Sequence, residues 1–155
     1  MKRNVVLVVD ADADTARAVE IAAASADVDP RFMRTSGEFF HFCNDDFENV
    51  GAIILDVDPG VHGMAILEAV DACENTPPVI VVSALEEAHL HAIVRRRGAV
   101  ACLGKPISVS RLIRVLDEIT ARRVSTGRCD LWGHPVDCKW TRPQRSSLQQ
   151  FTTAN

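Results

Sequence analysis

A doubly wound α/β fold, five parallel strands with helices on both faces, is what this chain of 155 residues predicts. Three observations lead there. Short runs rich in Val, Ile and Leu alternate with segments of helical spacing, five times over, and that alternation calls for a parallel sheet with right-handed crossovers. Residues 51–56 (GAIILD) hold four consecutive apolar side chains with no polar alternation, as in a strand covered on both faces. Several of these runs end on a polar or charged residue, and in open α/β sheets chemistry gathers just beyond the carboxyl ends of the strands.

The elements follow in order. Residues 4–10 (NVVLVVD) read as a β-branched strand ending in acid, after which Asp14 is placed to cap a helix running toward Ala26. Pro30 precedes a short strand over 31–35. Ser36, two residues before Glu38, opens an aromatic helix with Phe39, Phe40 and Phe42, which Asn44-Asp45-Asp46 breaks. These phenylalanines read as core and edge packing. The strand 51–56 and the turn Asp56-Val57-Asp58-Pro59-Gly60 come next, then a helix over 63–74 with Met64, Leu67 and Val70 on one face. Pro77-Pro78 forbids further helix. Residues 79–83 (VIVVS) form a buried strand, followed by a helix through Arg97 that Gly98 stops. Residues 99–104 are the last strand and lead to Lys105-Pro106. From Ser108, the apolar residues Val109, Leu112, Ile113, Leu116 and Ile119 mark a final amphipathic helix. Past Arg123 no period of 2.0 or 3.6 persists, so 1–122 reads as one domain and 123–155 as a tail expected to be disordered without a ligand.

Composition bounds the class. Apolar residues are 47% and charged residues 25% of the chain, the balance of a globular protein with a real core. No apolar run approaches the roughly 20 residues needed to span a bilayer, and the start lacks a cleavable leader pattern, so a cytoplasmic location is expected. The five cysteines are odd in number and scattered, as for reduced thiols. The net charge of −4 hides an asymmetry: residues 122–155 carry six basic and two acidic side chains, +4, and the rest of the chain carries −8. A basic appendage on an acidic body points to an anionic partner.

Strand ends supply the candidate chemistry. Asp10 with Asp12, then Asp56, Ser83 and Lys105, stand at the ends of four of the runs and in a doubly wound sheet would converge on one rim. Two or three carboxylates there suit Mg2+, with Asp10, Asp12 and Asp56 as candidate ligands. An Asp beside such a metal can attack a phosphoryl group and become an aspartyl phosphate, while a hydroxyl at Ser83 and an ammonium at Lys105 would hold the phosphoryl oxygens.

Residues 1–122 resemble the receiver domain of two-component response regulators, CheY-like in particular, a flavodoxin-like sandwich. The resemblance rests on LVVDAD (7–12), IILDVDPGVHG (53–63), VVSA (81–84) and GKP (104–106). It implies Asp56 as phosphoacceptor, Asp10 as Mg2+ ligand, Ser83 as switch hydroxyl, Lys105 as phosphate partner and a cis Lys105–Pro106 bond. The chain departs from the family pattern at Ala11, where a second acid is usual, in a loop after Asp56 one residue short, and at Cys102, where an aromatic residue is common.

The tail holds both tryptophans of the chain, each near arginine: Arg128-Cys129-Asp130-Leu131-Trp132, then Lys139-Trp140-Thr141-Arg142. Arginine offers two donors that match O6 and N7 of guanine, a carboxylate accepts from guanine's other edge, and indole and guanidinium planes stack on bases. In this the chain resembles the CheY-like cyclic-di-GMP effectors (Cle proteins) of alphaproteobacteria, which carry an arginine-rich extension. That implies cyclic di-GMP as ligand of Arg128, Asp130, Trp132, Trp140, Arg142 and Arg145, with Arg122, Arg123, Asp137 and Lys139 as second choices, and a protein partner at the flagellar motor or cell pole. Cys129, His134 and Cys138 are zinc-like in type, but a structural zinc takes four ligands and only three are local. A solvated tail without ligand and a nucleic-acid-binding tail are the other readings.

The leading expectation is a non-enzymatic signalling adaptor that binds cyclic di-GMP through its tail. The alternative is a response regulator controlled by phosphorylation of Asp56 from a histidine kinase.

Overall fold

A computed structural model describes residues 4–45, 49–59, 62–72, 76–85 and 87–124. The elements are β1 (Asn4–Val9), α1 (Ala13–Ala26), β2 (Val28–Met33), α2 (Ser36–Asp45), β3 (Val50–Asp56), α3 (Gly63–Asp71), β4 (Val79–Ser83), α4 (Glu87–Arg96), β5 (Ala101–Gly104) and α5 (Val109–Val124). All five strands are parallel, in the order β2-β1-β3-β4-β5. The predicted fold class is the observed one.

Side-chain alternation along the strands divides the core between two faces. Leu7, Val9, Ile53, Leu55, Val79 and Val81 meet Phe39, Ile66, Leu67, Val70, Leu90 and Val94 from α2, α3 and α4. Val6, Val8, Ala52, Ile54, Ile80 and Val82 meet Val19, Ala22, Ala23, Leu112, Leu116 and Ile119 from α1 and α5. Every residue of β3 and β4 is buried, which is why their sequences lack alternation. Each large aliphatic side chain so buried contributes about 1.5–3 kcal/mol. Phe39 is core and stacks edge-on with the partly buried Phe40, ring centroids 5.5 Å apart, so the aromatic run of α2 is packing.

Winding reverses between β1 and β3. The chain goes outward from β1 to β2, crosses back over β1 through α2, and then builds β3, β4 and β5 on the other side. The reversal leaves a crevice at the carboxyl ends of β1 and β3, where Asp10 and Asp56 emerge.

Several boundaries differ from the sequence reading. β2 begins at Val28 and passes through Pro30, which pairs with Val6; on an edge strand one side has no ladder, so proline's missing N–H is tolerated there. α1 is capped by Asp12 and not Asp14: Asp12 is extended (φ −83°, ψ 125°) and its side chain accepts from the Asp14 amide. α3 ends at Asp71, before the expected residue 74. β5 starts at Ala101 because Ala99 is used in stopping α4, its amide donating to the carbonyl of Val94 at 3.0 Å across Gly98. Gly98 is left-handed at φ 85°, the conformation that allows that reversal. The exposed Arg95 and Arg96 lie in the last turn of α4, and Arg97 pairs with Glu68 of α3. The tail residues Arg128, Asp130, Trp132, Trp140, Arg142 and Arg145, and Cys129, His134 and Cys138, lie outside the described residues.

Candidate functional site: a carboxylate cluster at the switch point

Three strands end on the same local device. Asp10 Oδ1 accepts the amide of Asp12 at 2.8 Å, Asp56 Oδ1 accepts the amide of Asp58 at 2.8 Å, and Ser83 Oγ accepts the amide of Leu85 at 3.0 Å. Each side chain thus satisfies the backbone two residues on, turning the chain away from the sheet. The remaining oxygen of each carboxylate, and the hydroxyl proton of Ser83, are left to face the crevice.

There Lys105, brought in by β5, closes the cluster. Its backbone amide donates to the Ser83 carbonyl at 2.8 Å, and the Lys105–Pro106 bond is cis. Its ammonium lies 3.0 Å from Asp10 Oδ2, 3.1 Å from Asp56 Oδ2 and 3.5 Å from Asp58 Oδ2. Asp10, Asp56 and Ser83 retain 7%, 4% and 1% of their exposure. Burial of charge on this scale is tolerated only with close compensation.

The third acid of the cluster was not foreseen. Asp58, read from sequence as a turn residue, accepts the hydroxyl of Ser83 on Oδ1 and the amide of Ala84 on both oxygens, at 3.1 and 2.9 Å. The D-x-D spacing was the available signal, since two residues beyond a strand end a side chain returns to the same side. Asp12 goes elsewhere. Its two oxygens take the Asp14 amide at 3.1 Å and the Thr15 hydroxyl at 3.2 Å, and it is exposed at the start of α1. The structure therefore brings Asp10, Asp56, Ser83 and Lys105 together and leaves Asp12 as a helix cap.

Electrostatics differentiate the acids. Burial pushes the Asp56 carboxyl above its ordinary range and the charge of Asp10 adds to this, outweighing the Asp58 amide and Lys105. A buried, more basic carboxylate suits a nucleophile. Burial also opposes ionisation of Asp58, but the Ser83 hydroxyl, the Ala84 amide and Lys105 outweigh it and hold that carboxyl below its usual range. Burial opposes the charge on Lys105 as well, and its contacts with Asp10 and Asp56 more than reverse this, so its pKa is raised.

Asp10 Oδ2 bears on cation binding. It is buried and accepts no hydrogen bond; the ammonium at 3.0 Å meets it as an ion pair. With the facing oxygen of Asp56 it forms a two-carboxylate oxygen set of the kind Mg2+ uses when waters and a phosphate complete its shell. Among the described residues no group of three or more His, Cys, Asp or Glu forms a metal cage.

Above Asp56, the first residue of α3 is pressed against the strand end. A Cβ on Gly63 would lie 1.7 Å from the Asp56 carbonyl oxygen, so glycine is required for the helix to approach.

The response regulator receiver domain model matches residues 6–117, and the chain belongs to that family. Among solved structures, it is similar to a response regulator from Thermotoga maritima (21% identity, TM-score 0.67, 77% of this chain and 98% of that one). It is also similar to the Francisella response regulator 1452 receiver domain (25% identity, TM-score 0.66, covering 78% and 99%) and to a response regulator receiver protein from Burkholderia phymatum (26% identity, TM-score 0.66, covering 77% and 96%). A comparison with curated proteins gives no match. Receiver domains commonly bind Mg2+ at an acidic site and interact with histidine kinases and other proteins. Among the described residues no helix is long and apolar enough to cross a membrane.

Proposed function

We propose that this chain is a phosphorylation-controlled response regulator whose phosphoacceptor is Asp56. The observation that carries the reading is the convergence of Asp10, Asp56 and Lys105 at the switch point, with Lys105 Nζ 3.0 Å from Asp10 and 3.1 Å from Asp56. In the transfer, a carboxylate oxygen of Asp56 bonds to phosphorus of a phosphohistidine as the P–N bond breaks. The bonding pair stays on the imidazole nitrogen, which takes up a proton. Lys105 offsets charge on the oxygens of the new acyl phosphate. Mg2+, held by Asp10 and Asp56, would supply further charge neutralisation to the phosphoryl oxygens. The chain itself turns over no substrate; its output is a change of surface read by a protein partner. The test is Mg2+-dependent incorporation from a small phosphodonor: the wild type takes up one phosphoryl group and Asp56→Asn none. Incorporation that persists in Asp56→Asn rules this assignment out.

A second input has its own support in the sequence. The tail carries +4 against −8 elsewhere and holds both tryptophans beside arginines, chemistry suited to a guanine dinucleotide. In this reading cyclic di-GMP is bound by Arg128, Asp130, Trp132, Trp140, Arg142 and Arg145, as in the Cle effectors. Binding orders the tail and directs the protein, in the cytoplasm, to a motor or polar partner. Isothermal titration with cyclic di-GMP on the full chain and on a form truncated after about Ala121 decides it, because equal binding by both forms removes the tail from consideration. Nucleic acid as the true ligand would instead show affinity collapsing steeply with salt.

A further inference from the structure

Among the described residues, the donors on this rim that a phosphoryl group on Asp56 would use are already engaged, two of them by Asp58. Ser83 has a single hydroxyl proton; it goes to Asp58, while the oxygen accepts from Leu85. The Ala84 amide has one hydrogen, shared between the two oxygens of Asp58. The Lys105 ammonium has three hydrogens and faces three carboxylates, Asp10, Asp56 and Asp58. A new anion on Asp56 cannot gain the hydroxyl or the amide without taking them from Asp58. The competition is local, because the Asp58 amide is itself bonded to Asp56 Oδ1 at 2.8 Å, which fixes the two acids on the same rim.

Charge points the same way. Among the described residues, Asp10, Asp56 and Asp58 share the one ammonium of Lys105. An added phosphoryl group would meet repulsion from Asp58 as well as competition for its donors. Asp58 is the acid of this cluster best able to leave, since its side chain is 19% exposed while those of Asp10 and Asp56 are 2% and 6%.

We propose that Asp58 is a positioning residue that stands in for the phosphoryl group in the resting protein, holding Ser83 and the 83–85 loop in their anion-bound arrangement and having to be displaced for Asp56 to be phosphorylated. This deepens the phosphoacceptor reading of Asp56 and rests on it. The chain is thereby biased toward its anion-bound loop before any signal arrives, and phosphorylation is slowed by a competitor the chain itself supplies.

The experiment uses the full chain with Asp58→Asn, which keeps shape and loses charge, and Asp58→Ala, which removes the acceptor; urea midpoints confirm that both fold. Two quantities are read: hydrogen exchange of the Ala84 and Leu85 amides without phosphodonor, and the initial rate of phosphoryl uptake from acetyl phosphate with Mg2+. The expected result is a tenfold or greater rise in Ala84 exchange in Asp58→Ala and a phosphorylation rate raised several-fold in both variants. A merely structural role for Asp58 would loosen the loop without accelerating uptake, so unchanged or slower uptake in both variants overturns the proposal. Unchanged Ala84 exchange overturns it as well. If neither the wild type nor the variants take up phosphate, the phosphoacceptor reading fails and the stand-in role fails with it. That outcome differs from equal uptake by all three, which defeats the stand-in role alone.

Discussion

Replacing Lys105 by methionine removes the ammonium that three carboxylates of the crevice share, while keeping an apolar stem of similar length. At 3.0 Å, with an effective dielectric constant near 20, each of the closest attractions is worth about 5 kcal/mol before desolvation is subtracted. Removing one partner of a buried charge pair costs about 3–5 kcal/mol in practice, because the partner is left buried and uncompensated. Lys105 is 14% exposed, so solvent does little to soften the loss, and a destabilisation of about 3 kcal/mol at pH 7 is expected. The carboxylates have one escape, which is to bind a proton. In the variant the Asp56 carboxyl, already raised by burial, loses the lowering influence of Lys105 and rises further. The folded state then binds more protons than the unfolded one, and the variant regains stability as pH falls, by up to about 1.4 kcal/mol per unit for one proton. The wild type has a separate dependence at the alkaline end: the raised Lys105 pKa adds stability that is present below its unfolded value and lost as pH rises through the folded one. Urea melts of both proteins between pH 4 and 8 measure the difference directly. A gap under about 1 kcal/mol at pH 7, or one that stays flat as pH falls, would refute the claim that Lys105 is what makes two buried acids and a half-buried third tolerable.

Two further outcomes follow from local geometry. Gly63→Ala forces a methyl carbon to within 1.7 Å of the Asp56 carbonyl, so the backbone must move and a loss of about 3 kcal/mol is expected, read as a fall in urea midpoint. Asp12→Ala removes both the acceptor of the Asp14 amide and that of the Thr15 hydroxyl, costing about 1 kcal/mol, while Mg2+-dependent phosphoryl uptake at Asp56 is retained. A variant that melts normally but no longer responds to Mg2+ would return Asp12 to the metal site.

What the sequence disclosed depended on how local the deciding physics is. β3 and β4 were legible because burial on both faces writes itself as an unbroken apolar run, and Asp56 and Ser83 were then fixed as their ends. Pro30 misled, since whether a strand tolerates proline depends on its place at the edge, and strand order is not written in any one segment. Between Asp12 and Asp14 the cap is decided by which residue takes the extended backbone, a choice composition does not reveal. Asp58 was visible as an acid in a turn, but its partners Ser83 and Ala84 are 25 and 26 residues away. Only the register of β3 against β4, Asp56 beside Val82, brings them together.

The close seat of Gly63 on the Asp56 carbonyl also says where motion can go. With no room between helix and strand end, α3 and β3 behave as one block at this point, and Asp12 ties the neighbouring turn to α1 in the same way. Two sides of the rim are therefore posts. The third, the 83–85 loop, is held by hydrogen bonds to a side chain that can swing, and it ends at Leu85, 56% exposed. Among the described residues, a disturbance at Asp56 finds its compliant route outward through Ser83 to Leu85.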